Sequence, residues 1–579
     1  MFRENIRHLQ MPLFSSVHDL PEKQLKRLDE SWAGTFYREF FVRINEEDFA
    51  VLYSDEPSRP NIPVNVLAGL ETLKSGFGWD DEQMYEAFCY NVQVRYALGY
   101  RDLSEGHFEL RTVYNFRKRL TQHMQETGEN LIAQCFEQVT DEQIEAFQLK
   151  TGKLRMDSTQ IASNIREMTR LQLLVEVVQR VHRMLSEADQ ARYAADFAPY
   201  LKGSSGQYIY RIKGQESGEH IQRIGELMHR LVEELTATYA GEEAYRVLER
   251  VFREHFTIEE STLRPKAGEE LSASSLQSPD DWEATYREKR GQGHKGYVVN
   301  LAETCDPQNG FQLIVKVQTE SNNTDDATML DEALPDLKER TDVEQMHTDG
   351  GYNSPDVDEA MRKNHIEQIQ TAIRGRNPAA DKLGLDDFDW ETNADGQPQT
   401  VTCPHGQQLE VTPGRKENRY RAAFEAPACD TCPFNEQCPT RPLERTPEQV
   451  LRFSQQEVDL ALRRKRCAEV RASGQNLRAA VEATVRSVKH PFGNGQVPVR
   501  GKARVSMVVI ASAAMSNVRR IHRHLMAQNE TRKEEKTAQE EATSAHQQTA
   551  ASLFVFLWTR LRDCLRWLSF ARPAPAYGF

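Results

Sequence analysis

The stretch "MHTDGGYNSP", residues 346–355, decides how this chain is interpreted. It places Asp349 at the end of a strand-like segment, and the two glycines that follow allow the backbone to turn sharply. An aspartate in this position often caps the helix that follows, so the stretch alone favours a structural role. A functional role becomes the stronger interpretation if other carboxylates elsewhere in the chain have the same setting.

A second carboxylate, Asp157, has that setting in "KLRMDSTQIASN", which is short and compatible with a strand. Two more strand-like segments, "KGYVVNLAET" and "GFQLIVKVQTE", are joined by the turn formers of "CDPQNG". After them "DDATMLDEALPDLKERT" predicts a helix and "VEQMHTD" a strand. The order β, helical insert, β, β, α, β predicts a mixed α/β sheet flanked by helices, with Asp157 and Asp349 on its first and last strands.

A third carboxylate, Glu482, lies in "NLRAAVEATVRSVKHPF", which predicts a helix. At about 100° per residue, three basic residues fall within about 40° of Glu482, beside an apolar stripe. These residues are Arg478, Arg486 and Lys489. The helix can therefore pack on a sheet and present one acid among three bases. The structural alternative is ordinary pairing of Glu482 with bases one turn away, which stabilises a helix only slightly.

Composition places the chain among soluble proteins of several domains. Its residues are 39% hydrophobic and 28% charged. A chain of 579 residues is too long to form a single core. Charges in the first residues, "MFRENIRHLQMPLF", argue against a secretory signal peptide. Nine cysteines without such a signal favour reduced thiols or metal ligands over disulfides, so we expect a cytoplasmic protein.

The charge distribution indicates a polyanionic partner despite a net charge of -14. Residues 463–523 contain fourteen Lys or Arg but only two acids. One basic region in an acidic chain is typical of a surface that binds nucleic acid, although a solvated helical face is the alternative. A basic helix at "TVYNFRKRL", residues 112–120, is a weak further signal of DNA binding, and core packing explains it equally well.

The pattern divides the chain into five parts. We expect an all-α N-terminal domain at residues 1–145 and an α/β domain at 150–525. The α/β domain is interrupted by a large helical insertion at 165–290 and a small cysteine-rich insertion at 385–445. Residues 526–579 form a disordered linker and an amphipathic tail.

The tail "ASLFVFLWTRLRDCLRWLSF" is apolar, but four charged residues interrupt it, so we expect no membrane span. Its apolar residues form one helical stripe. Docking of this stripe onto the body of the protein or onto another subunit is the preferred interpretation, and attachment to a membrane surface is the alternative.

The cysteine-rich insertion carries a candidate metal site. A CxxC pair and two further thiols could bind one structural Zn²⁺ tetrahedrally, and the neighbouring prolines favour tight turns around it. The four ligands would be Cys403, Cys429, Cys432 and Cys438, with His405 as a replacement for one of them. Reduced structural thiols are the alternative.

The segments "MDSTQIASN", "HTDGGYNSP" and "LRAAVEATVRSVK" together resemble the three motifs of the DDE transposases of bacterial insertion sequences. The third motif of that family is Tyr, two residues, Arg, three residues, Glu, six residues, Lys. Arg478, Glu482 and Lys489 fit this spacing, and Gln475 occupies the tyrosine position. The resemblance covers about residues 10 to 525 and implies a ribonuclease H-like catalytic domain, a DNA-binding N-terminal domain and a structural or DNA-contacting cysteine-bearing insertion.

The resemblance also implies the chemistry and the partners. Asp157, Asp349 and Glu482 would hold two Mg²⁺ or Mn²⁺ ions, for hydrolysis at the transposon ends and transfer of the 3′-hydroxyl into target DNA. Contacts to DNA phosphates would come from Arg478, Lys489 and Arg486. The partners would be double-stranded DNA, as terminal inverted repeats and target, and a second copy of the chain in a homodimer.

Two other functions fit the same residues. A related metal-dependent nuclease would cut without joining, and a non-catalytic DNA-binding protein derived from a transposase would do neither. Retention of all three acids counts against the second.

Overall fold

The computed structural model describes residues 1–10, 15–54, 56, 60–260, 262–289, 291–373, 381–393, 395–443, 446–474 and 476–570, without the side chains of 540–551, 564 and 567–570. It has the mixed α/β architecture that the sequence predicts.

The N-terminal part is helical, and no strand occurs among its described residues up to Phe147. Its α-helices are α1 (Glu22–Asp29), α2 (Trp32–Glu39), α3 (Val64–Phe77), α4 (Asp81–Tyr90), α5 (Val92–Ala97), α6 (Leu110–Thr127) and α7 (Leu131–Phe147). Side chains of Ser31, Asp80, Asn91 and Asn130 cap four of them by accepting backbone N–H bonds. Gly78 ends α3 at φ +70, where a Cβ would lie 2.3 Å from the Pro491 carbonyl oxygen, so glycine is required there.

The main sheet holds the two candidate strands. Its members are β1 (Lys153–Ile161), β4 (Thr285–Lys289), β5 (Gln292–Thr304), β6 (Ile314–Ser321), β7 (Gln345–Thr348) and β8 (Glu367–Gln370). In space β6, β5, β1, β7 and β8 lie side by side, and β4 pairs with the first half of β5. Strand β1 is antiparallel to β5 and parallel to β7, and β7 is parallel to β8.

Helices cover both faces of this sheet. They are α14 (Asp326–Arg340), α15 (Pro355–Lys363), α17 (Gln455–Ser473), α18 (Val481–Lys489) and α19 (Lys502–Phe570). One face of the sheet packs against α14 and α15. The other face shares a continuous apolar core with the first turns of α19 and the N-terminal helices, so the helical part and the sheet are built on one core.

A large excursion separates β1 from β4. It contains α8 (Arg170–Met184), α9 (Glu187–Arg192), α10 (Ala194–Phe197), α11 (Ser205–Tyr210), α12 (Ser217–Tyr239), α13 (Glu243–His255), and the hairpin β2 (Phe256–Glu259) and β3 (Thr262–Pro265). Its apolar side chains form a core of their own.

The base of this excursion is closed by Asp281, whose side chain is buried. Its carboxylate accepts hydrogen bonds from Ser163 Oγ at 2.9 Å, from the Tyr297 hydroxyl at 2.5 Å and from the Gly501 amide at 3.0 Å. Entry and exit of the excursion are therefore tied to each other and to the segment that precedes α19.

The cysteine-bearing segment forms two small sheets between β8 and α17. Its elements are β9 (Asp389–Thr392), β10 (Pro398–Thr402), β11 (Gln408–Glu410), β12 (Thr412–Pro413), β13 (Arg419–Glu425), α16 (Ala426–Asp430), β14 (Arg441–Pro442) and β15 (Glu448–Ser454). A compact cluster centred on Phe388, Phe424 and Phe453 joins the two sheets. The segment therefore has its own core.

The prediction of a disordered linker from residue 526 is wrong, because α19 continues without a break to Phe570. Neither glycine nor proline occurs from 502 to 570, and the linker is rich in the strong helix formers Ala, Glu, Lys and Gln. The predicted apolar stripe of the tail is not packed on the body, since Phe554 is 71% exposed and Trp558 63%. Within the part of the chain that the structure describes, no helix combines the length and apolar character needed to cross a bilayer.

The sheet and the helices on it are joined by a buried carboxylate, Glu303 of β5. Its oxygens accept hydrogen bonds from Arg155 Nε at 2.6 Å, from Arg520 Nη1 at 2.7 Å and from Thr484 Oγ1 at 2.7 Å. Arg155 also donates to the carbonyl oxygen of Leu477 at 2.8 Å. One group thus connects β1, β5, α18 and α19.

We predict that Glu303→Gln lowers the free energy of unfolding by about 3–5 kcal/mol, because it leaves two buried guanidinium groups without their countercharge. Calorimetric melting of the two proteins measures the difference. The control is Glu320→Gln, which breaks the more exposed ion pair with Lys502 and should change stability by less than about 1 kcal/mol. Equal effects of the two substitutions would contradict the role assigned to Glu303.

Candidate active site

The two aspartates lie side by side on neighbouring strands, Asp157 in the middle of one and Asp349 at the end of the other. Asp157 is in β1, and Asp349 follows the last residue of β7 directly. The strands are parallel, with Arg155 opposite His347, so the chain brings both carboxylates to one edge. Asp349 also accepts the Gly351 amide at 2.7 Å, so it caps the following turn and still faces the site.

Glu482 lies in the first turn of α18, and its side chain is 66% exposed. The sequence predicts one continuous helix here, but α18 begins only at Val481, and Arg478 lies in the preceding turn. The positive end of the helix dipole favours an ionised acid at the position of Glu482. Gln475, at the tyrosine position of the third motif, lies outside the described residues.

All three acids meet at the guanidinium of Arg478. Its Nη2 atom lies 3.1 Å from Asp157 Oδ2 and 3.9 Å from Asp349 Oδ2. Its Nη1 atom lies 3.9 Å from Glu482 Oε1. Three carboxylates that are far apart in sequence therefore surround one largely buried cation.

With the guanidinium at the centre, no direct cluster of acids is formed. Among the described residues, no group of three or more His, Cys, Asp or Glu side chains is arranged to hold a metal ion. The three side chains could offer carboxylate oxygens, the ligand type that suits Mg²⁺, and the point between them is occupied by the positively charged Arg478.

Burial controls the protonation of this site. Loss of hydration raises the pKa of Asp157 above its ordinary value, and the nearby charge of Asp349 raises it further. Arg478 acts in the opposite direction but does not cancel the effect of burial. An ionised Asp157 is therefore under electrostatic strain in the folded protein.

The other basic residues of α18 have different surroundings. Lys489 Nζ donates to Thr159 Oγ1 at 3.2 Å and to the Gln160 carbonyl oxygen at 2.8 Å, so it is bound to β1 just beyond Asp157. Burial lowers the pKa of Lys489. Arg486 is exposed on the surface of the helix.

Several residues beside the acids were not singled out in the sequence. A layer beneath Asp157 contains two hydrogen-bonded pairs, Ser158 with Asp326 and Tyr352 with Asn300, and the pairing of β1 with β5 places Ser158 opposite Asn300. The sequence signal that could have pointed to this layer is Tyr352, which directly follows the two glycines of the stretch 346–355. No sequence signal distinguished Asp326, since it lies among several acids at the start of a helix.

The four cysteines of the small insertion lie near one another. The backbone amide of Gln407 donates to Cys403 Sγ at 3.3 Å, and its side chain contacts Cys429 Sγ at 3.8 Å. Burial raises the pKa of Cys429, and the charges of Cys438, Cys403 and Cys432 raise it further.

Two family models match the chain. One, described as a transposase DDE domain, matches residues 402–522, and the other, described as a transposase domain (DUF772), matches residues 26–119. The first match contains Glu482 and its helix. Together the two matches support a DDE-type transposase of insertion-sequence type. Comparison with curated proteins gave no match, and neither did comparison with solved structures.

The two matches lie toward opposite ends of the sequence. The DUF772 match runs from within α1 to within α6, and the DDE-domain match runs from the cysteine-bearing segment through α18 into α19. Asp157, Asp349 and the large helical excursion lie between the matched segments. A match to a transposase DDE domain implies DNA as a partner and the use of divalent metal ions in general.

We predict that Asp157→Asn raises the melting temperature of the metal-free protein at pH 7. The folded pKa of Asp157 is raised, so ionisation destabilises the fold, and this penalty develops as the pH rises above the ordinary aspartate value of about 3.9. The difference between the variant and the wild type should therefore shrink toward zero near pH 4. Thermal melting in chelator across this pH range, with exposed Asp331→Asn as control, measures it.

Proposed function

We propose that this transposase hydrolyses the ends of its element by a two-metal-ion reaction and then transfers the freed 3′-hydroxyl into target DNA. The observation that carries the proposal is the convergence of Asp157, Asp349 and Glu482 on one cation, the guanidinium of Arg478. A decayed, non-catalytic DNA-binding protein would have no need to keep three acids in this arrangement.

The ligands of the metal ions would be Asp157, Asp349 and Glu482. Carboxylate oxygens suit Mg²⁺ or Mn²⁺, and these ions would activate the attacking water or hydroxyl and stabilise the leaving oxygen of the phosphodiester. The exposed carboxylate of Glu482 faces the side from which DNA would approach, and the partly buried aspartates form the base of the site.

The basic residues around the acids would hold the DNA backbone. Arg478 would exchange its carboxylate partners for phosphate oxygens when the acids bind metal. Arg486 is exposed, and the buried residues two positions before and after it, Thr484 and Val488, hold this helix on the protein so that Arg486 points to solvent. Lys489 would act from beside β1, where it already reaches past Asp157. Cationic side chains at these positions would orient the scissile phosphate.

The catalytic domain would have a ribonuclease H-like fold. Support comes from the sheet, in which a hairpin of antiparallel strands continues into parallel strands through a helix. Asp157 lies in the parallel strand β1, and Asp349 directly follows the neighbouring strand β7. Residues 150–525 would form this domain, with insertions at 165–290 and 385–445. The helices of residues 1–145 would bind DNA, and two copies of this cytoplasmic protein would bridge two DNA ends.

The cysteine-rich insertion would bind one structural Zn²⁺ through Cys403, Cys429, Cys432 and Cys438. The neighbouring thiols oppose ionisation of Cys429, and a dication would offset that repulsion. Gln407, which contacts two of the sulfurs, would orient them. Four protein ligands leave no open position, so this metal would have no part in catalysis.

The test of the main proposal supplies pre-cleaved element ends, intact ends and target DNA together with Mg²⁺. We predict that the wild type both cuts and joins. Asp157→Ala should abolish both reactions, a loss of at least about 10³-fold, and keep DNA binding in a gel-shift assay. Asp331→Ala, an exposed acid on α14, is the matched control and should retain full activity.

Cutting without joining would replace the transposase mechanism by that of a nuclease. DNA binding with no metal-dependent cleavage by the wild type would favour a non-catalytic binding protein.

We further predict one zinc ion per chain, measured by elemental analysis of protein purified without chelator. Cys429→Ser should lose most of this zinc and lower the melting temperature, since zinc binding contributes directly to the folding of such small segments. Cys89→Ser, in the helical part, should keep it. Full zinc content in Cys429→Ser, or none in the wild type, would exclude the site.

A further inference from the structure

A fourth carboxylate lies behind Asp157. Asp326 is the first residue of α14, and it is only 5% exposed. Its Oδ1 atom accepts a hydrogen bond from Ser158 Oγ at 2.8 Å. The backbone amide of Ser158 in turn donates to Asp157 Oδ1 at 3.0 Å. A single residue therefore connects the carboxylate of Asp326 to that of Asp157.

Tyr352 completes this buried layer. Its hydroxyl donates to Asn300 Oδ1 at 2.7 Å, and Asn300 lies opposite Ser158 in the pairing of β5 with β1. Burial raises the pKa of Tyr352, and the charges of Asp326, Asp157 and Asp349 raise it further. The phenol thus lies close to all three aspartates.

Helix capping does not explain the placement of Asp326. The cap of α14 is the preceding residue, Asp325, whose exposed side chain accepts the Thr328 amide at 2.8 Å. Burying a second carboxylate at the same helix end is unfavourable unless its charge is compensated and its oxygens accept hydrogen bonds. The bond from Ser158 shows that at least one of its oxygens is used toward the active site.

We propose that Asp326 is a positioning residue for Asp157. Through Ser158 it fixes the direction of the Asp157 carboxylate, and its negative charge increases the attraction of the site for a divalent cation. This inference rests on the proposed function, since it requires that Asp157 binds metal. Residues that orient metal ligands from behind typically change metal affinity by about 10- to 100-fold when they are substituted.

The experiment measures Mn²⁺ binding to the full chain by electron paramagnetic resonance, for the wild type and three variants. Asp326→Asn removes the charge but keeps the shape, and Ser158→Ala removes the connection but keeps the charge. Both should bind Mn²⁺ at least about tenfold more weakly than the wild type. Asp325→Asn, the same change one residue away on an exposed cap, should bind it as the wild type does.

Cleavage measured against Mn²⁺ concentration provides a second readout. The midpoint should move to higher Mn²⁺ in Asp326→Asn and Ser158→Ala, and saturating Mn²⁺ should restore most of the rate, which a purely structural defect would not allow. Melting in chelator checks that each variant is folded. Ser158→Ala decides alone if Asp326→Asn does not fold.

The outcomes separate the two proposals. Wild-type binding together with unchanged affinity in both Asp326→Asn and Ser158→Ala would overturn the role of Asp326 and leave the proposed function intact. Absence of Mn²⁺ binding to the wild type, with or without DNA, would overturn the proposed function itself.

Discussion

The buried carboxylate of Glu303 sets the distance between the two halves of the candidate active site. It lies opposite Arg155, two residues before Asp157, and it accepts a hydrogen bond from Thr484, two residues after Glu482. Arg520 of α19 contacts both Glu303 and Thr484. Buried ion pairs add little net stability, but they are strongly directional, so this group fixes one position of α18 on the sheet.

The acids that this arrangement brings together repel one another. Asp157 is partly buried beside Asp349, and Arg478 compensates only part of their charge. Such a site lowers the stability of the protein that carries it, because preformed polar sites commonly destabilise the fold around them. In the proposed mechanism this repulsion would favour divalent cations over monovalent ones, because each dication relieves more of it.

Local patterns in the sequence predicted the elements that carry the site. The hairpin of β5 and β6 followed from two apolar runs around a turn, and the strands of Asp157 and Asp349 followed from short apolar segments that end in polar residues. The boundary of α18 was missed, because an amphipathic pattern does not show where a helix begins when no capping side chain marks it.

The partners of Glu303 and Asp326 could not be predicted. Their contacts depend on which residues face each other across the sheet, and register is a property of the assembled strands. Disorder was predicted for the linker from its low hydrophobicity alone, whereas its intrinsic helix preference and its attachment to a buried helix decided its conformation.

Because Asp281 closes the base of the helical excursion, the excursion is a self-contained insertion in the sheet. Its two ends leave the sheet side by side, so the strands keep their alignment whatever length of chain is inserted between them, and each doubling of that length would cost only about 0.6 kcal/mol in loop entropy. Evolution can therefore enlarge, shorten or exchange this unit without rebuilding the catalytic framework. The hydrogen bond that the Gly501 amide donates to Asp281 also attaches any such insertion at a fixed point beside the first residue of α19.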